Sequence, residues 1–154
     1  MNSRLVQEVR EKRGLAYSVQ SRFDGLESTG LFRIYVGTSV DRAHESVEVV
    51  HDVLRQLERD GITDDELRLA KTRLKTQVIM RSESTSSRMV ANVRSWWFEG
   101  RLRGLDEIAE RVESVTLDQV LDLVHSLDIT RRMASVALGP RSEDELFGGV
   151  FSRA

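Results

Sequence analysis

Apolar residues recur with a helical period from the start of the chain. Leu5, Val6 and Val9 share one side, with Arg4, Glu8 and Glu11 outward, and Asn2 or Ser3 is placed to cap. Gly14 is the expected stop, after a basic last turn of Lys12 and Arg13. From Leu15 the period changes to two. Tyr17, Val19, Ser21 and Phe23 alternate with Ala16, Ser18, Gln20 and Arg22, which predicts a strand with one apolar face. Asp24 to Thr29 reads as a loop, and Leu31 to Val36 alternates again with Phe32, Ile34 and Val36 on one face. The two strands are expected to form a hairpin.

From about Asp41 the pattern is helical. Val47, Val50, Leu54 and Leu57 mark a first face, ended by Gly61. Thr63-x-x-Glu66 is a capping box for a second helix, with Leu67, Ala70, Leu74 and Val78 inward. Ser82 to Ser87 holds cap-formers that break or bend it, after which Met89, Val93 and Trp96 share a face as far as Gly100. A short helix with Ile108 and Val112 follows Gly104, and Thr116-x-x-Gln119 caps another with Leu117, Val120, Leu121 and Val124. Met133 to Leu138 is a last strand, closed by Gly139-Pro140, and Ser142-x-x-Glu145 can start a final helical turn.

The order is helix, hairpin, several helices, strand, which is an α+β fold: an antiparallel sheet of about three strands with helices layered on one face. Three strands are few for this many helices, so completion by missing or partner sequence is expected. Residues 1–140 read as one domain and 141–154 as a peripheral tail.

Composition narrows the function. The 154 residues carry 23 basic and 25 acidic side chains, interleaved, for a net charge of -2. That offers no bulk attraction for nucleic acid or an anionic membrane. There is no cysteine, which removes disulfides, thiolate metal sites and a Cys nucleophile. No apolar run approaches a membrane span, and the amphipathic N-terminal segment does not resemble a secretory signal, so a soluble, cytoplasmic location is expected.

Three features offer candidate chemistry. The Arg10–Tyr17 stretch places a cation one helical turn before the glycine stop and a phenol at the strand entry. Held together at that corner, they either grip a peptide carbonyl or staple the corner. His44, Glu48 and His51 share one side of a helix and either hold a metal or form a polar shoulder beside the apolar stripe. Trp96-Trp97-Phe98 cannot all face one core, so core packing with a partial interface role is the expected use. No glycine-rich phosphate loop and no Gly-x-Ser-x-Gly elbow is present.

Longer stretches carry a resemblance. Met1 to Ser18, through Arg10-Glu11-Lys12-Arg13-Gly14-Leu15-Ala16-Tyr17, is similar to a signature of the pitrilysin/insulinase/mitochondrial processing peptidase family, in its C-terminal half. Thr29-Gly30-Leu31-Phe32, Ile34-Tyr35-Val36-Gly37-Thr38 and Gly61-Ile62-Thr63-Asp64-Asp65-Glu66-Leu67 continue it. So do Ala70-Lys71, Leu74-Lys75, Glu83-Ser84, Arg88-Met89, Val115-Thr116 and Leu138-Gly139-Pro140, over about residues 1–140.

The resemblance implies one half of a two-half zinc endopeptidase. In that family zinc is held by His-x-x-Glu-His and a downstream glutamate in the N-terminal half, and this chain has no such motif. The resemblance also implies a role for Arg10 and Tyr17. Tyr17 would hydrogen-bond the scissile carbonyl or its oxyanion, and Arg10 would hold the neighbouring substrate backbone. Both are donors, as developing negative charge on oxygen requires, and Arg keeps its charge at any working pH. The implied partners are a zinc-bearing N-terminal half or partner subunit and peptide substrates, with zinc bound there and no cofactor here. Family C-terminal halves begin with a strand, a helix and a Gly-rich turn before the residues matching Met1-Asn2-Ser3-Arg4, in agreement with the thin sheet. A non-catalytic assembly module of the same family, acting as a homodimer, is the alternative.

Overall fold

The computed structural model describes residues 3–25 and 28–150. In chain order its elements are a π-helix (Val6–Lys12), β1 (Ala16–Gly25), β2 (Gly30–Thr38), a 3-10 turn (Val40–Arg42) and α1 (Ala43–Asp60). Then come α2 (Asp64–Ser82), α3 (Thr85–Glu99), α4 (Leu105–Ser114), α5 (Leu117–Leu127), α6 (Ile129–Arg132) and α7 (Glu143–Phe147). The fold is α+β. Two compact units divide it: 1–60 with 127–154, and 61–126.

The first unit is built around α1. Its Ser46, Val50, Val53 and Leu54 recur at helical spacing and are buried. Val50, Val53 and Leu54 pack with Leu5 and Val9 of the N-terminal segment and Leu15, Ala16 and Val19 of the first strand region. Ser3 Oγ lies 3.4 Å from the Val6 amide, in the capping position; Asn2, the other candidate, lies outside the described residues. Gly14, at φ +61°, ends the helix in the left-handed region that glycine tolerates. Its N–H donates to the Arg10 carbonyl (3.1 Å) and the Leu15 N–H reaches back to Val9 (2.8 Å). This double closure spans one residue more at each bond than the usual Schellman turn.

The hairpin is antiparallel, with Val19 opposite Val36 and Phe23 opposite Phe32. One departure from the expected pattern has a clear cause. Ala16 pairs with Thr38 and Ser18 with Gly37, so Tyr17 is an extra residue, a β-bulge. The bulge shifts the alternation: Ala16 and Val19, three apart, are both buried, and Tyr17 is 74% exposed. Tyr17 therefore does not share the core face with Val19, as strict alternation would have it.

The third strand does not form. Among the described residues the sheet has two strands, and 133–138 follows α6 without joining a ladder. An apolar run becomes a strand only where a neighbour supplies backbone partners, and among the described residues β2 pairs only with β1. Glu58 anchors the approach to this segment by accepting from the Thr130 N–H (3.0 Å) and hydroxyl (2.6 Å). The C-terminal α7 packs on α1, burying Leu146 and Val150.

The second unit is helical. The Thr63/Glu66 capping box forms in both directions, at 3.2 and 2.9 Å. Thr116 and Gln119 make the same reciprocal pair at 3.3 and 3.0 Å. Ser84 caps α3 and separates it from α2, and Gly100 (φ +67°) ends it. Lys71 and Lys75 of α2 both reach Glu113 at the end of α4, through its carbonyl and carboxylate, each at 2.7 Å. Patterning misleads in one respect here: α2 and α3 contain no buried residue, Leu74 and Val93 included. Trp96, Trp97 and Phe98 are all exposed, so none of the three serves as core. Three consecutive helical positions point in three directions, and no described element covers them.

Candidate functional site

The site begins at the corner between the π-helix and β1. Thr38 Oγ1 donates to the Leu15 carbonyl at 2.5 Å, and the Arg42 guanidinium donates to the Gly14 carbonyl. Ser46, 1% exposed, donates to the Arg42 carbonyl at 2.8 Å, with its Oγ 3.2 Å from Thr38 Oγ1. The end of β2, the 3-10 turn and the start of α1 thus clamp Gly14 and Leu15, the two residues before β1. Sequence patterning passes over this clamp. Its signal is the small polar pair Thr38 and Ser46 at the ends of apolar elements.

The bulge projects Tyr17 outward and across β2. An added Cβ on Gly37 would stand 2.7 Å from two ring carbons and 2.9 Å from the phenol oxygen. The ring therefore occupies the side-chain space that glycine leaves. Among the described residues the phenol oxygen has no hydrogen-bond partner.

Arg10 sits on the exposed side of the π-helix. Its neighbours are engaged elsewhere: Lys12 Nζ lies 2.5 Å from a Glu8 carboxylate oxygen, and Arg13 pairs with the other oxygen. The hydrogen-bonded Lys12 ammonium, followed by the Arg13 guanidinium, holds the Glu8 carboxyl below the usual carboxylate range. Arg10 makes no side-chain hydrogen bond or ion pair among the described residues. No hydrogen bond joins Arg10 to Tyr17, so the staple reading finds no bond to rest on.

Tyr17 also forms part of the rim of an apolar cleft of about 530 Å³ inside the first unit. It is lined by Val47, Val50 and Leu54 of α1, by residues of β2 and by 133–138. Arg10 does not line it.

His44, Glu48 and His51 do not assemble into a metal centre. His44 Nδ1 donates to the Leu146 carbonyl at 3.0 Å, and its Nε2 is 3.7 Å from Glu48. His51 is buried, and desolvation, followed by the Arg55 charge, pushes its pKa down. Among the described residues no group of three or more His, Asp or Glu could hold a metal ion. No helix there is long and apolar enough to cross a membrane.

Comparison with known proteins bears on the corner. Residues 1–74 match the family profile described as "Peptidase M16 inactive domain". An uncharacterized zinc protease of Bacillus subtilis, YmxG, is 39% identical over 127 residues, 82% of this chain and 31% of the relative. An uncharacterized zinc protease of Mycobacterium leprae is 36% identical over 140 residues, 91% of this chain and 31% of the relative. One from Streptomyces coelicolor is 34% identical over 145 residues, 94% and 31% respectively. The chain spans less than a third of the length of these relatives. The profile covers the π-helix, the Arg10–Tyr17 corner and the hairpin, and the relatives extend the match through the helices. The chain belongs to the peptidase M16 family, that of pitrilysin, insulinase and the mitochondrial processing peptidase, as a C-terminal half domain without the zinc motif.

Proposed function

We propose that residues 1–140 act as the substrate-binding half-domain of a zinc metalloendopeptidase, inactive alone. They complete a site whose zinc is held by an N-terminal half or a partner subunit. The observation that carries this reading is the pair of unused donors at the clamped corner. Tyr17 is held outward by the bulge, and among the described residues neither its phenol nor the Arg10 guanidinium has a hydrogen-bond or ion-pair partner. A peptide carbonyl developing negative charge is stabilised by donors placed in advance, which cost no reorganisation when the charge appears. Tyr17 donates its O–H to the scissile carbonyl oxygen. Arg10 donates to carbonyls further along the substrate backbone, where its planar fork and fixed charge hold an extended peptide in register.

The test is complementation. The chain mixed with a zinc-bearing half is expected to cleave a long peptide that neither cleaves alone. Tyr17→Phe keeps the ring over Gly37 and removes only the donor, so it should lower kcat about a hundredfold, the scale of one lost oxyanion donor. Wild-type rates from the Tyr17→Phe mixture would sink the proposal.

The exposed Trp96, Trp97 and Phe98 favour a second reading, a non-catalytic assembly module that dimerises through α3. Sedimentation equilibrium separates the two. A dimer dispersed by Trp97→Glu, with no affinity for peptide, supports the module; a monomer whose peptide affinity falls on Arg10→Ala supports the peptidase half.

A further inference from the structure

The two faces of the hairpin differ. On one, Val19, Ile34 and Val36 pack into the core. By the two-residue alternation of β2, Gly37, Tyr35 and Arg33 share the other. The Tyr17 ring fills the side-chain space of Gly37, so it belongs to this second face, where Tyr17 and Tyr35 are both exposed. Arg33 stands directly opposite Arg22 of β1. Like charges in that relation repel. Asp24, the next β1 residue on the same face, offsets this: it accepts from Arg33 Nε at 2.9 Å and lies 2.7 Å from Arg22 Nε. The hydrogen-bonded Arg33 guanidinium, with the Arg22 charge, holds the Asp24 carboxyl below the usual carboxylate range, so it stays ionised at neutral pH. The carboxylate is the covered member of the three. Its side chain is 25% exposed, against 73% for Arg22 and 59% for Arg33. Two guanidiniums against one carboxylate leave one positive charge turned to solvent.

We infer that this face selects substrates by charge: Arg22 and Arg33 receive an acidic side chain of the peptide, about four residues from the scissile bond. The inference rests on the substrate-binding role proposed above for Tyr17. An extended peptide and β2 advance by nearly the same rise, about 3.3 Å per residue, so four residues span about 13 Å on each. A scissile carbonyl at Tyr17 therefore brings the side chains two and four residues along to the level of Tyr35 and Arg33. In an extended chain those two point the same way. The fourth meets a pair of guanidiniums that share one carboxylate. Each carries five N–H donors, more than Asp24 uses, so a second carboxylate has groups to bind. A lysine there would meet the surplus positive charge. An ion pair this exposed is weak, so it discriminates between substrates and adds little to their affinity.

The probe is an otherwise neutral peptide cleaved at one bond by the chain complemented with a zinc-bearing half. One glutamate, or one glutamine for comparison, is walked through its positions. The Glu:Gln ratio of kcat/KM is expected to reach about threefold to fivefold at the fourth position on one side of the bond. It should stay near one elsewhere, and the preference should shrink as salt is raised. Asp24→Asn leaves two positive charges and should raise the ratio. Arg22→Gln leaves the Asp24–Arg33 pair neutral and should bring it to about one. Tyr17→Phe should slow cleavage of both peptides and leave the ratio unchanged, which separates the lost donor from the lost charge. The inference alone is overturned if cleavage is restored but the ratio is the same at every position, or does not move between Asp24→Asn and Arg22→Gln. If no cleavage is restored, the substrate-binding role itself falls, and fluorescence anisotropy of the labelled Glu and Gln peptides on the chain decides the charge site. A Glu preference following the same order of variants upholds that site, and equal affinities overturn it.

Discussion

The Tyr17 ring lies in the space a side chain on Gly37 would occupy. One strand carries an extra residue and the other carries none of its own bulk, so the bulge and the glycine are two halves of one arrangement. The ring is held close to β2 while the residue as a whole stays 74% exposed.

Gly37→Ala is therefore expected to act on Tyr17 rather than on the fold. The exposed ring can swing away from the new methyl, so the stability loss should stay near or below about 1 kcal/mol, small for a volume clash. Ring placement is lost nonetheless. In a double-mutant cycle with Tyr17→Ala, the Gly37→Ala penalty should vanish, because the ring it collides with has gone. Urea midpoints of the four proteins check this.

Arg10→Ala should leave stability within about 0.5 kcal/mol of wild type, as expected for an exposed side chain with no partner among the described residues. Arg13→Ala takes a partner from Glu8 and serves as the comparison. Peptide binding by the complemented enzyme should weaken for Arg10→Ala and not for Arg13→Ala. Equal losses would show that general positive charge, not this position, holds the peptide.

Ser46→Ala removes the buried donor that ties the Arg42 carbonyl to the clamp. The expected cost is about 1 kcal/mol, the range for losing a part-buried hydrogen bond whose donor is buried. It should appear as a lower urea midpoint with an unchanged slope. The looser corner should also raise exchange at the amides of Leu15 and Ala16.

His51 makes stability depend on pH. Burial lowers its folded pKa below the ordinary value of about 6.5. As pH falls through that value, the unfolded chain takes up the proton before the folded one. Stability present above about pH 6.5 is then lost progressively towards the lower folded pKa. Asp52 and Glu58 oppose the shift and Arg55 adds to it. The carboxylates held low by ion pairs, such as Glu8, titrate at more acidic pH and do not overlap this window. The urea midpoint should therefore fall between about pH 7.5 and 5.5, and His51→Gln should flatten that fall.

Much of this architecture is legible from local signals. The capping boxes at Thr63 and Ser142, the stop at Gly14 and the break at Ser84 all fall where residue type alone puts them. Each depends on groups within a few positions of one another. The corner holding Arg10 and Tyr17 is equally local, a helix stop followed at once by a change of period. The side chains that engage it come from farther away: Thr38 lies 23 residues beyond Leu15, and Arg42 lies 28 beyond Gly14. No periodicity links them.

Failures of the pattern share one cause. Alternation counts residues, and a bulge adds one, so Tyr17 faces out where counting turns it in. Apolar runs show what needs covering but not what covers it. Met133 to Leu138 read as a strand and Trp96 to Phe98 as core packing with a partial interface role, and each depends on a neighbour that the described residues do not provide. Read alone, the chain specifies its helices, its hairpin, its family and the two donors of its corner, because those follow from near neighbours and residue type. Only the folded chain decided that Tyr17 projects over Gly37 and that an apolar cleft opens beside it. Both depend on strand register and on packing between distant segments, which chain order does not encode residue by residue.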